Sequence, residues 1–260
     1  MGNAYEERLG TDRMLPLIFK MSLPAVAAQL VNLLYNIVDR IYIGHIPGIG
    51  TDALAGIGVT SAVIILISSF SAIVGAGGSP LAAIALGQGN RERAGQILGN
   101  GFILLLIFTI LTSATTYLFM EPILLFTGAS ENTIGYATDY LSIYLLGTLF
   151  VELSVGLNTF INTQGRPTIA MYSVLIGAIL NIGLDPLFIF TFGMGVKGAA
   201  LATILSQACS AIWVISFLTS KKASLRLEYR YMKLHKGIIL SILALGVSPF
   251  IMASTESLVG

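Results

Sequence analysis

The sequence predicts an all-α integral membrane protein, in which a six-helix transmembrane bundle is followed by most of a seventh helix. The chain is 55% hydrophobic and only 10% charged, with a mean hydropathy of +0.85, whereas soluble domains carry about 25% charged residues. Apolar segments recur at the length of about 20 residues that a helix needs to cross a bilayer, and short connections with turn residues separate them. We therefore expect a lipid bilayer around the chain and no nucleic-acid partner.

Seven apolar segments are the predicted spans. The first is too long for the core of a signal peptide and has the wrong flank, so we interpret it as an uncleaved span. The last is apolar up to the final residue, so we expect the chain to end inside a membrane helix. The predicted spans cover residues 17–43, 54–79, 97–119, 137–161, 168–192, 196–219 and 238–260.

The basic residues predict a cytoplasmic N-terminus, because Lys and Arg are enriched in cytoplasmic connections. With this orientation 12 of the 14 basic residues lie on the inner side, and only Arg40 and Lys197 lie outside. The inner residues are Arg8, Arg13, Lys20, Arg91, Arg93, Arg166, Lys221, Lys222, Arg226, Arg230, Lys233 and Lys236. We divide the chain into an N-terminal six-helix bundle (1–219), a basic cytoplasmic linker (220–237) and the start of a second bundle (238–260). We interpret the linker as a membrane-surface segment rather than a regulatory site.

The fifth span ends in a polar motif. Asn181 and Asp185 lie four residues apart, so they share one face of a helix. A carboxylate at bilayer depth costs about 2.5–3.5 kcal/mol on insertion scales, and Pro186 weakens the helix beside it because proline has no backbone N–H to donate. Asp185 is therefore a candidate functional residue; the alternative is that its carboxylate only holds the kink through backbone contacts.

The first span carries a polar stripe. Gln29, Asn32, Asn36 and Asp39 recur at intervals of three and four residues, so they occupy one narrow face of the helix. Lipid does not tolerate such a face, whereas a water-filled cavity or a partner helix does. Two explanations without a ligand remain open. The amides can form a hydrogen-bond ladder between helices, and Asp39 can extend to the outer interface beside Arg40.

Asp39 and Asp185 are predicted to lie at the same depth. Asp185 follows Thr168 by 17 residues, which places it about 25 Å from the inner face at a rise of about 1.5 Å per residue, and Asp39 is similarly far along a parallel span. Thr203 should reach this level from the sixth span, with Gln207 one turn deeper. Two adjacent carboxylates can share a proton, and with amide and hydroxyl oxygens they can bind Na⁺ instead. The pattern predicts an ion-coupling site.

Three further polar residues are candidates for a substrate cavity. Glu152 lies near the middle of the fourth span, as either a buried protonated acid or part of the cavity, and Asn158 and Glu256 are the others. Asn158 is predicted to lie too close to the cytoplasm to reach Asp185. We find no phosphate-binding loop, no His/Cys set with metal-ligand spacing and no catalytic triad, so we expect neither an enzyme nor a cofactor beyond the coupling ion.

The sequence around Asp185 resembles the span-five motif of the multidrug and toxin extrusion (MATE) family. The run at residues 181–188 carries this resemblance, and other segments support it in the same order and spacing along the whole chain. These are Pro24 and Asp39, residues 87–90 with Arg91 and Ala94, residues 164–167, and residues 198–203. Val155 departs from the family pattern, since it stands near the place of an expected span-four Asn.

The resemblance implies a transporter of twelve helices in two six-helix bundles that works by alternating access. This chain would supply the first bundle and most of the seventh helix, and the C-terminal six-helix bundle would be missing. By the resemblance, Asp39, Asn181, Asp185 and Thr203 bind the coupling H⁺ or Na⁺, and Glu256 matches a span-seven acid. The implied function is export of small organic, often cationic, drugs across a bacterial or archaeal cell membrane, in exchange for H⁺ or Na⁺.

A flippase for lipid-linked precursors, from the same superfamily, is the alternative function. Such a protein should line its cavity with basic residues that bind pyrophosphate. We assign only Arg40 as a basic residue within a predicted span, near its outer end, which counts against this alternative.

Overall fold

The computed structural model describes residues 14–259, without the side chains of residues 14–17, 20, 21, 256, 258 and 259. Within this range the chain forms seven helices of 20 residues or more and one short helix. They are α1 (Met14–Gly44), α2 (Gly50–Gly87), α3 (Arg91–Leu118), α4 (Met120–Phe126), α5 (Ile134–Thr163), α6 (Pro167–Pro186), α7 (Val196–Thr219) and α8 (Lys236–Val259). The predicted all-α membrane fold is confirmed.

Six of these helices are long and apolar enough to cross a membrane within the described residues: α2, α3, α5, α6 with its extension to Thr191, α7 and α8. The helix α1 also has the length of a span, with 31 residues, and several side chains in its first turns lie outside the described residues. The boundaries also differ from those predicted, since α2 continues to Gly87 instead of ending near residue 79.

Local sequence explains how the chain turns between α5 and α6. Gly165 has a φ of +72°, a conformation that costs glycine nothing and other residues much more. Pro167 then occupies the start of α6, where its fixed φ suits a helix and the missing N–H would be unpaired anyway. The two residues therefore end one helix and begin the next within a short connection.

The helix α5 lies at the centre of the bundle, where it packs against α2, α3 and α7, while α1 packs mainly against α6. The helix α8 packs along α2 through small residues. A Cβ atom added at Gly77 would lie 2.2 Å from the backbone oxygen of Ile242, and one at Gly246 would lie 2.3 Å from that of Ile73. The helix that we predict to begin a second bundle therefore contacts the first bundle closely in this structure.

Candidate functional site

Asn181, Asp185 and Thr203 form a buried polar cluster between α6 and α7. The side-chain Nδ2 of Asn181 donates to Asp185 Oδ1 over 3.2 Å and approaches Thr203 Oγ1 at 3.4 Å. Asp185 is 0% exposed and Asn181 is 2% exposed. The four-residue spacing of the first two residues produces this contact, because side chains at i and i+4 are neighbours on a helix.

The helix geometry changes immediately after Asp185. Pro186 ends α6, and residues Leu187–Thr191 form a π-helical turn in which the N–H of Phe192 bonds to Leu187 O at 2.9 Å. Proline cannot donate the bond that an α-helix requires, and π turns inside helices occur frequently at functional sites. The expected weakening of the helix beside the acid is thus present.

Asp39 of α1 faces Asp185 of α6, and their carboxyl groups are close enough to interact electrostatically. The phenol of Tyr35, one turn before Asp39, neighbours both carboxyl groups. The structure therefore brings together the two acids that the sequence places at one depth. Asp39 is half-buried, and its Oδ1 is fully buried rather than extended to the interface.

Several buried oxygens of this cluster have no hydrogen-bond partner among the described residues: Asp39 Oδ1, Asp185 Oδ2 and Asn181 Oδ1. An ionised carboxylate buried without a partner is very costly, and two facing carboxylates repel each other. A proton shared by the acids, or a small cation bound by the three oxygens, would remove this cost. No group of three or more His, Cys, Asp or Glu side chains with metal-site geometry occurs in the described part.

Glu152 belongs to a polar stripe on α5 whose two tyrosines were not predicted from the sequence. Tyr140, Tyr144, Thr148 and Glu152 recur every four residues and are all buried, with 5, 4, 0 and 1% exposure. Tyr140 neighbours Asp39 and lies within hydrogen-bonding reach of Thr203, and its ring stacks on that of Tyr144 at 6.2 Å. The four-residue spacing was the signal that could have identified it, but tyrosine is common enough in apolar helices to be overlooked.

A cavity of about 270 Å³ lies beside the acid cluster, between α1, α5, α6 and α7. Tyr35 lines the cavity and also neighbours the two acids, so it joins the two features. Of the predicted cavity residues, Gln29, Asn32, Asn158 and Gln207 line this space. Asn36 does not, because it is exposed and its amide donates to Asn32 O at 2.7 Å within its own helix.

Hydrogen bonds between helices connect the polar residues that line the cavity. Ser154 Oγ donates to Gln207 Oε1 over 2.7 Å and joins α5 to α7. Asn158 donates to the backbone oxygen of Ala170 at 3.0 Å and also bonds Ser173, which joins α5 to α6. As expected from its depth, Asn158 contacts the beginning of α6 rather than Asp185.

Glu152 is a second predicted cavity residue that is not found there. It is buried on α5 near Tyr144 and does not line the cavity. Neither of its carboxyl oxygens has a hydrogen-bond partner within the described residues. The side chain of Glu256 lies outside the described residues.

Comparisons with known proteins agree on one family. The MatE family model matches residues 24–187. The multidrug export protein MepA of Staphylococcus haemolyticus is 27% identical over 239 residues, which are 92% of this chain and 52% of that protein. A FAD transporter of Shewanella oneidensis is 34% identical over 194 residues, or 73% of this chain and 42% of that protein. A MATE crystal structure in the bent conformation superposes with a TM-score of 0.83 at 28% identity and covers 90% of this chain and 52% of its own. The chain thus spans about half the length of the curated relatives it matches.

Proposed function

The chain belongs to the MatE family, and on that premise we propose that it forms the first lobe of a secondary active antiporter. The antiporter exports small organic, often cationic, compounds in exchange for H⁺ or Na⁺, without converting them chemically. A second six-helix lobe completes the transporter, since the matched relatives are about twice as long. The protein crosses the cell membrane several times, with its N-terminus in the cytoplasm.

The facing pair of Asp39 and Asp185 is the observation that carries this proposal. Both carboxyl groups have a buried oxygen without a partner among the residues that the structure describes, and a cation between them would satisfy both. Asn181 fixes the orientation of Asp185 through its amide N–H, which leaves the amide oxygen as a further ligand. Thr203 and Tyr140 close the cluster from α7 and α5. We assign the coupling ion to these residues.

Exchange follows from the electrostatics of the cluster. The two acids in apolar surroundings stabilise one positive charge well, but a second cation nearby is repelled. An organic cation in the adjacent cavity and a coupling ion at the acids therefore compete, and Tyr35 lies between the two positions. Binding of the ion on one side of the membrane then favours release of the drug on that side.

The lining of the cavity suits neutral or cationic substrates. Its lining within the described residues includes the amides of Gln29, Asn32, Asn158 and Gln207 and contains no Lys or Arg. A lipid-linked pyrophosphate needs basic partners, so the flippase alternative is disfavoured. The same argument disfavours a pyrophosphate-bearing compound such as the FAD for which one relative is named.

The experiment uses the complete transporter, containing both lobes, reconstituted in liposomes. Uptake of a cationic dye is followed under an imposed pH gradient and, separately, under a sodium gradient. We expect dye movement with one of the gradients and none after both are collapsed. Dye movement that persists without either gradient would overturn the proposal of secondary antiport, and dye that never moves would favour the flippase.

A further inference from the structure

The connection between α7 and α8 is folded onto the bundle. Residues 223–228 alternate, so that the odd-numbered side chains are buried and the even-numbered ones line a second cavity. Such alternation is the pattern of an extended segment with one face against a core. Leu225 is 1% exposed, and its N–H donates to Gln164 Oε1 over 3.0 Å. The segment therefore has a fixed position against α5.

The end of the connection is fixed against α3 as well. Asn100 donates to the backbone oxygen of Lys233 at 3.0 Å and accepts from the N–H of His235 at 2.8 Å. The ring of Tyr231 covers Gly95, where a Cβ atom would lie 2.6 Å from the ring. Both ends of the segment are thus held by bonds to bundle side chains, which sets the shape of the cavity.

This second cavity has a volume of about 550 Å³ and is lined by six basic side chains and one acid. The acid, Glu228, is already paired with Arg230 at 2.7 Å. The basic side chains come from the start of α3, the start of α6 and the connection: Arg91, Arg166, Lys221, Lys222, Arg226 and Arg230. The cavity therefore has a strong excess of positive charge collected from three separate segments.

Two of the arginines are held in place by the protein. The guanidinium of Arg166 lies 5.7 Å from the centre of the Phe217 ring, and Arg226 donates from Nε to Ser220 O over 3.0 Å. Both side chains are half-buried. A guanidinium has five N–H donors, and within the described residues Arg226 uses one of them, so four can bind a ligand. Fixed arginines lose less side-chain entropy on binding than free ones.

We propose that this cavity binds a phosphate-bearing anion. Clustered arginine and lysine side chains recognise phosphate through charge-assisted and often bidentate hydrogen bonds. The ligand is either the headgroup of an anionic phospholipid, since the cavity lies at the ends of membrane helices, or a soluble phosphate compound. Occupation of the site would clamp the connection to α3 and α6. The site is separate from the acid cluster and does not depend on the proposed transport activity.

The test compares the purified protein in detergent with two charge-matched variants. The cavity variant is Arg166→Gln/Arg226→Gln, and the control is Arg93→Gln/Lys236→Gln, which removes two positive charges outside the cavity. Binding of inorganic pyrophosphate is measured by calorimetry. Retention of phosphatidylglycerol, against phosphatidylcholine, is measured by native mass spectrometry. The variant Lys221→Gln/Lys222→Gln, which changes two exposed side chains, replaces the arginine variant if that one does not fold.

A soluble ligand is supported if pyrophosphate binds to the wild type and the cavity variant binds at least about tenfold more weakly, as expected for the loss of charged hydrogen bonds. A lipid headgroup is supported if only the cavity variant loses phosphatidylglycerol and pyrophosphate binding is absent or unchanged. If neither ligand distinguishes the cavity variant from the control, the proposal is wrong.

Discussion

Asn181 and Asp185 bond to each other within α6, with Asn181 Nδ2 donating to Asp185 Oδ1 over 3.2 Å while both side chains are buried. This bond fixes one oxygen of the acid, while the other, Oδ2, lies near Asp39 and has no hydrogen-bond partner in the described part of the chain. The carboxyl group is therefore oriented for a further interaction across the interface between α1 and α6.

Replacing Asn181 with Ala should weaken binding of the coupling ion. The substitution removes the donor that orients Asp185 and one oxygen ligand, and loss of a hydrogen bond to a charged group costs about 1.5–3 kcal/mol. We expect the ion concentration for half-maximal dye transport in the complete transporter to rise about tenfold or more. The control is Asn132→Ala in an exposed loop. An unchanged ion dependence in the Asn181 variant would mean that Asp185 is oriented by other contacts.

Replacing Pro186 with Ala should restore regular helix beside the acid. An alanine supplies the backbone N–H that proline lacks, and proline inside a helix costs about 3 kcal/mol. We expect the amides of the π-helical turn, residues 187–191, to exchange hydrogen more slowly, while transport falls. Pro122→Ala, at an exposed position of α4, should change neither. Unchanged hydrogen exchange in the Pro186 variant would show that the turn does not depend on the proline.

Gly77 should be essential for the packing of α8 on α2. The variant Gly77→Ala places a Cβ atom 2.2 Å from Ile242 O, so the helices must separate, and overpacking of this kind costs about 1–3 kcal/mol. We expect a lower thermal unfolding temperature in detergent. Gly58→Ala is the matched control, because a Cβ atom there meets nothing within 4 Å and alanine favours helix. Equal unfolding temperatures for the two variants would contradict the close contact.

Glu152 should be replaceable by Leu with a gain in stability. Both of its carboxyl oxygens are buried without a hydrogen-bond partner in the described structure, and each such group costs about 1–3 kcal/mol. Leucine fills a similar volume without that cost, so the unfolding temperature should rise, whereas Glu131→Leu in an exposed loop should leave it unchanged. A fall for the Glu152 variant would indicate that the carboxyl group has a bound proton, ion or water that stabilises the fold.

Spacing and depth along the chain were enough to predict the long helices and to place Asp39, Asn181 and Asp185 in one cluster. Both kinds of information are local, because a helix fixes the separation of its own residues. The rotation of one helix against another is not local, so the sequence did not show that Glu152 lies outside the cavity lining. It also did not show that residues 223–228 fold onto the bundle, because that depends on the partners Gln164 and Leu218.

The most direct measurement of the central claim is dye transport by the complete transporter with Asp185→Asn, under the gradient that drives the wild type. Asp139→Asn is the control, since Asp139 is an exposed acid paired with Lys197 at 3.3 Å on the surface. We predict that the Asp185 variant folds but loses gradient-driven transport, while the Asp139 variant transports normally. Transport by the Asp185 variant at the wild-type rate would contradict the assignment of the coupling site to the acid pair.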